Sequence, residues 1–452
     1  MSAKNKEVNT VVSLEGDNRD TFGSKFGFIL ACVGSAVGMG NIWLFPYRVG
    51  QFGGAAFLIP YFIFVALIGF TGVIGEMAFG RAMGTGPLGA FEKAFKQRGK
   101  DYGRVIGMIP VIGSLGIAIG YSVVVGWILR FLIGSFTGSM MNAPDSVEYF
   151  VSIAGNFGSI TWHLLGLLIL LVILSLGVAD GIEKVNKILM PTFFGLFLIL
   201  AIRIAFVDGA IEGYRYMFVP RWEALLDPKT WVFALGQAFF SLSLAGSGTV
   251  VYGSYLKKSE DIVDSAKYVV IFDFIAAILA ALVVIPAVFA YNLDPASGPP
   301  LMFITLPSVF KQMPLGNIFA AVFFVAVFFA AVTSLMNLME TPIEALQEKF
   351  KLSRFKAVSI IVGLTALVGV FIENGDVVSK WMDVLSIYVI PLGAILAAIA
   401  FFWVCKDGFT REAVQMGRDK IIGGWFEPMT KYLFVGLSIF VYIMGIRYGG
   451  IG

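Results

Sequence analysis

Residues Gly34 to Pro46 read GSAVGMGNIWLFP, a cluster of glycines around one Asn, set inside an apolar run long enough to cross a bilayer. A helix in hydrocarbon must satisfy its own backbone groups, so glycines this dense are tolerated at membrane depth only where the helix breaks inside protein. Such a break frees carbonyls that hold a cation and N–H groups that face an anion. The chain is therefore expected to carry a binding site at mid-membrane.

Composition places the whole chain in the same solvent: 58% of residues are hydrophobic and 14% charged, against roughly one-quarter charged in soluble domains. Apolar windows fall near 24–49, 55–79, 105–133, 162–178, 188–206, 231–255, 268–291, 318–340, 357–372, 382–405 and 432–446, an all-α integral membrane protein of about eleven spans. With the N-terminus inside, about 24 of the 33 Lys and Arg lie on cytoplasmic segments. An odd number of spans then puts the C-terminus outside. The expected segments are a cytoplasmic tail (1–23), spans one to five (24–206), an extracellular loop (207–230), spans six to ten (231–405), a cytoplasmic loop (406–431) and span eleven with an extracellular end (432–452). The tail is polar and unlike a cleavable signal. The net charge of +3 follows from this topology and does not point to nucleic acid. Cys32 and Cys405 both sit in apolar spans and read as buried thiols.

A second interruption, FFSLSLAGSG from Phe239 to Gly248, follows the first by about two hundred residues. Two broken helices, each opening a set of five spans, predict an inverted repeat about an axis in the membrane plane. Gly34, Gly38 and Gly248 taken singly are better explained by close helix packing. Packing alone does not explain Asn41, Ser241 and Ser243 at the breaks. A nucleotide loop at Gly38-Met39-Gly40 is a weaker reading still, because no strand precedes it and no βαβ pattern surrounds it.

Ionisable residues at membrane depth cost about 3 kcal/mol each and call for a reason. Four stand out: Asp273 deep in span seven, Glu76 late in span two, Glu340 late in span eight and Asp383 early in span ten. Asp273 has no Lys or Arg in its own span, and an unmatched buried carboxylate invites a hard cation such as Na+. Ala330, Thr333 and Ser334 offer a carbonyl and two hydroxyls on span eight, although such hydroxyls commonly bond back to their own helix. His163, beside Trp162, reads as an interfacial residue. Clustered His and Cys of a transition-metal site are absent from the sequence.

The run from Gly34 to Tyr47 resembles the first-helix signature of the neurotransmitter:sodium symporters, bacterial branch. The likeness extends through EMAFGR from Glu76 to Arg81, Tyr121, the segment after Phe239, YGSY from Tyr252 to Tyr255, Thr333-Ser334 and Leu352 to Arg354. It implies a leucine-transporter-like fold of five plus five helices with helices one and six broken. It implies a first sodium at Ala36, Asn41, Ser241 and Asp273, completed by the substrate carboxylate, and a second at Gly34, Val37, Ala330, Thr333 and Ser334. The substrate is implied to be a hydrophobic α-amino acid, from Leu to Trp. Met39, Gly40 and Tyr121 would hold its carboxylate, and Ala36, Phe240, Ser241 and Ser243 its ammonium. Ile117, Phe240, Gly246, Ser334 and Leu338 would surround the rest. Because Asp273 itself supplies a negative charge at the first ion, transport is expected to be chloride-independent.

Gates are implied at Arg19, Tyr255 and Glu348 inside and at Asp383 outside, where the family's arginine partner is Leu44 here and Arg48 lies one turn on. Gly181 and Pro191 flank the start of span five, an end that can unwind and admit water to the second sodium. The reading is a sodium symporter acting as a monomer in the plasma membrane, with a receptor of the same fold as the alternative. Filter rings of a channel and the acid, Ser-His or metal groups of an intramembrane hydrolase are not found.

Overall fold

The computed structural model describes residues 20–244, 247–296 and 301–451. Those residues form helices and connecting turns, with no strand among them. In chain order the principal helices are α1 (Lys25–Ala36), α2 (Gly40–Gln51), α3 (Ala55–Met83), α4 (Gly103–Thr137), α5 (Ile160–Ser175), α6 (Val178–Ala205), α7 (Pro228–Ser241), α8 (Gly248–Ser254), α9 (Ile262–Ala290), α10 (Gly316–Phe350), α11 (Arg354–Phe371), α12 (Gly375–Val404) and α13 (Phe426–Tyr448). Eight of these are long and apolar enough to cross a membrane, and α1 with α2 makes a ninth bent by 52°. The eleven spans expected from sequence need two more, the 16-residue α5 and the short α7 and α8 taken together.

The helices begin and end where local chemistry predicts. Ser24 caps α1 by accepting from the Gly27 N–H at 3.1 Å. Asp261 caps α9 through Val263 and Asp264 and is itself held by Arg418 at 2.8 Å. Between these ends the faces are inverted relative to a soluble protein. Ile188, Ile202, Leu367 and Phe371 point outward, while Asn41, Gln237, Ser241, Asp273 and Thr333 are fully buried. Lipid is as apolar as leucine, so packing and interior hydrogen bonds hold the bundle together rather than escape from water.

The interior is built around α1, which packs against α6, α9 and α10. The second broken pair lies along α3, with α7 on its first half and α8 on its last turns. Small residues permit that approach. A side chain at Gly80 would overlap the Val250 carbonyl, and one at Gly253 would come within 2.5 Å of the Met77 carbonyl. Both meet backbone, which cannot swing aside.

Gly80→Val and Gly253→Val should therefore each lower stability by about 1–3 kcal/mol or more. Gly436→Ala, where an added methyl meets nothing within 4 Å, serves as the control. Thermal unfolding in detergent reads the difference, and midpoints equal to the control would contradict this packing.

Candidate ion and substrate site

The two breaks differ in backbone geometry. After Ala36 the chain becomes extended at Val37, with φ −75° and ψ 101°, before resuming in a wide π turn over Gly40–Leu44. The second break is built on serines. Ser243 and Ser247 both take φ of +53°, a left-handed conformation that non-glycine residues adopt only when their surroundings hold them there. Ser243 is held by its Oγ, which donates to the Ser35 carbonyl at 2.8 Å. One broken helix thus braces the other.

Asn41, Ser241 and Asp273 meet at this junction. The Asn41 amide donates to Asp273 Oδ1 at 2.8 Å and to Ser241 Oγ at 3.1 Å, and Ser241 Oγ lies 2.8 and 2.9 Å from the Asp273 carboxylate oxygens. Tyr61 adds its hydroxyl to Ser241 at 3.2 Å. Asp273 is 0% exposed, and no ion pair reaches it among the described residues. Burying an unpaired carboxylate costs several kcal/mol, and neutral donors offset only part of that. The oxygen atoms of Asp273, Ser241 and Asn41 suit sodium, a hard cation.

The other expected ion residues gather one turn away. Gly34 faces Thr333, whose Cβ lies 2.9 Å from where a Gly34 side chain would start. Thr333 Oγ1 donates to the carbonyls of Phe329 and Ala330, both at 3.0 Å. A hydroxyl that donates its proton this way keeps lone pairs for a cation. Ser334 Oγ reaches the Ser35 carbonyl, in the last turn of α1, at 3.4 Å.

At Gly38 a side chain would start 2.9 Å from Ser334 Oγ and 3.2 Å from the Tyr121 hydroxyl. Glycine keeps that gap open. Tyr121 accepts from the Met39 N–H at 3.2 Å. Gly40 lies face to face with the Phe240 ring, and its carbonyl accepts from Gln237 at 2.9 Å. Ile117 is buried, Leu338 half-buried, and Ser114 ties α4 to the Leu338 carbonyl at 2.8 Å. Behind Phe240 is a cavity of about 50 Å³ lined by Gly236, Phe239, Ile387, Ile390 and Ile451. Gly246 lies outside the described residues.

The described inner gate residues fall in two clusters. Tyr255 donates to Glu340 at 2.7 Å, and Arg354 grips both Glu340 oxygens at 2.5 and 2.7 Å. Phe22 closes over this pair: its N–H donates to the Tyr255 carbonyl at 3.3 Å and its ring packs edge-on against Phe28 and Tyr252. Glu348 instead accepts from Thr85 at 2.6 Å, with Arg104 at 3.8 Å. Arg19 lies outside the described residues. On the opposite side Arg48 turns to Gln51 at 2.8 Å and stacks on Phe233. Asp383 is exposed and joins no ion pair among the described residues.

Further residues differ from expectation or were not anticipated. His163 is 0% exposed, bonds Ser122 at 2.9 Å and fits against Gly369. Glu76 is buried and accepts from Thr249 at 2.6 Å. Cys405 is buried, as its place in an apolar span implied. Tyr61 and Gln237, single polar residues in apolar runs, carried a readable signal. The Ser35 carbonyl, a backbone group, carried none. Gly181 sits in a wide turn over Val178–Glu183, and Glu183 clasps the start of α1 through Gly23 and Ser24 at 2.6 and 2.7 Å.

Comparison with known proteins settles the family. The sodium:neurotransmitter symporter family model matches residues 19–151 and 146–447. The chain belongs to that family. It is 32% identical over 453 residues to an uncharacterized sodium-dependent transporter of Haemophilus influenzae, covering 95% of this chain and 98% of the relative. It is 38% identical over 321 residues to the sodium-dependent transporter YhdH of Bacillus subtilis, 70% of each chain. The crystal structure of MhsT in complex with L-phenylalanine superimposes with a TM-score of 0.85 at 34% identity, covering 94% of this chain and 99% of MhsT. The protein is a multi-pass, sodium-dependent symporter of the leucine-transporter-like fold, and not an enzyme.

The Glu340–Arg354 pair supplies a test. Glu340→Ala strands a buried guanidinium and should cost about 3–5 kcal/mol. The double change Glu340→Leu with Arg354→Met should cost clearly less, because neither charge is stranded. Thermal midpoints in detergent decide it, and a double variant as damaged as the single would contradict this account.

Proposed function

We propose that this symporter couples two sodium ions to the import of one hydrophobic L-amino acid, without chloride. The observation that carries the reading is Asp273, buried without a cation partner and bonded to residues from both helix breaks, Asn41 of α2 and Ser241 of α7. A sodium ion there neutralises Asp273 and draws α2, α7 and α9 together. The same negative charge removes the need for chloride.

Substrate recognition follows from the neighbouring gap. With no side chain at Gly38, the space between Ser334 and Tyr121 admits an α-carboxylate, which then faces the Met39 and Gly40 amides and shares the first sodium with Ala36, Asn41 and Ser241. Phe240, Ser241 and Ser243 receive the ammonium. Ile117, Phe240, Leu338 and Gly246 accept an apolar side chain ranging from leucine to tryptophan. MhsT was crystallised with L-phenylalanine, which fits that range. Gly34, Val37, Ala330, Thr333 and Ser334 hold the second ion.

Binding of ions and substrate knits the breaks, and release follows when the side closed by Phe22, Tyr255, Glu340 and Arg354 opens. The N-terminus and that closed side are assigned to the cytoplasm of a plasma-membrane protein acting as a monomer. At 100 mV each sodium gains about 2.3 kcal/mol and each tenfold gradient about 1.4 kcal/mol. Two ions supply roughly 7 kcal/mol, enough for accumulation on the order of 10⁵ at the limit.

Proteoliposomes with an inward sodium gradient should accumulate radiolabelled leucine and tryptophan, carry inward positive current, and do so equally in gluconate. Potassium in place of sodium should abolish uptake. A requirement for chloride would overturn the role given to Asp273, and binding without accumulation would make the protein a receptor.

A further inference from the structure

Asn186, on α6, is fully buried, and its amide is oriented by its own helix: Nδ2 donates to the Ile182 carbonyl at 2.8 Å. That bond needs a donor, so the other end of the amide must be the oxygen. Oδ1 has no hydrogen-bond partner. A buried acceptor left unpaired is uncommon in folded proteins.

The position of Oδ1 gives the vacancy a meaning. A side chain added at Gly34 would overlap Asn186 Oδ1 and would start 2.9 Å from Thr333 Cβ. The amide oxygen therefore lies where α1, α6 and α10 converge, against two residues assigned above to the second sodium. Lys187 is taken by Glu183 at 2.6 Å and does not serve Oδ1. The side chain of Thr333 lies beside the same point, and its hydroxyl is already donated to its own helix. An amide oxygen that receives no donor among the described residues suits a hard cation.

We propose that Asn186 lends Oδ1 to the sodium of the second site. This rests on the two-sodium reading above and extends it. The consequence is mechanical as well as electrostatic. The same amide holds Ile182, in the wide turn over Val178–Glu183 that opens α6. An ion on Oδ1 fixes the amide plane and so strengthens the Ile182 bond. Loss of the ion frees the amide and loosens the turn. Occupancy of the second site is thereby linked to the order of the α6 start.

The test is a sodium titration of the thermal midpoint of the purified full chain, without substrate, in wild type, Thr333→Ala, Asn186→Ala and Asn186→Asp. Asn186→Ala should raise the half-effective sodium concentration on the order of tenfold. Asn186→Asp, which keeps the oxygen and adds charge, should lower it at neutral pH. A purely structural Asn186 would lower the midpoint equally with and without sodium, leaving the half-effective concentration of wild type; that result overturns the proposal. If Thr333→Ala also titrates as wild type, the second site itself is misassigned. Should Asn186→Ala fail to fold, Asn186→Asp decides alone, and a curve superimposed on wild type refutes the role.

Discussion

Everything central in this molecule depends on one buried carboxylate and the neutral groups that face it. Asp273 on α9 is met by Asn41 from just after the first break and Ser241 from just before the second. Because the site excludes water, a charge there without a counterion is costly, and a bound cation has an outsized effect on how the three helices sit. That coupling lets an ion gradient act on conformation.

The braces around this centre are graded. Ser243 on Ser35 and Met39 on Tyr121 are single neutral hydrogen bonds, each worth on the order of 1 kcal/mol. They can exchange for bonds to a substrate at little cost. The closure at Phe22 and the Glu340–Arg354 pair is of another kind, with buried charge and aromatic packing. Opening that side exposes both, so it must be offset by a gain elsewhere.

Much of the fold and part of the site were legible in the sequence for a physical reason. Glycines and serines at membrane depth, and an aspartate in VIFDFI, violate the rule that lipid-embedded helices are apolar and self-satisfied, so they mark themselves. Features that depend on which helices meet were not legible. Glu340 stood out as a buried carboxylate, but nothing in the sequence pairs it with Arg354 at the start of the next helix or with Tyr255. His163 beside Trp162 gives no sign that α4 and α11 close over it. Asn186 sits in a polar helix start where an amide is unremarkable, and only the packing of Gly34 against it exposes the unpaired oxygen.

The central claim is that sodium at Asp273 creates the substrate site. Equilibrium binding of radiolabelled leucine to the purified protein across a sodium titration, in wild type and in Asp273→Ala, tests it most directly. The account predicts affinity that rises with sodium in wild type and is lost in a variant that still elutes as a folded monomer. Leucine bound by Asp273→Ala with the sodium dependence of wild type would contradict it.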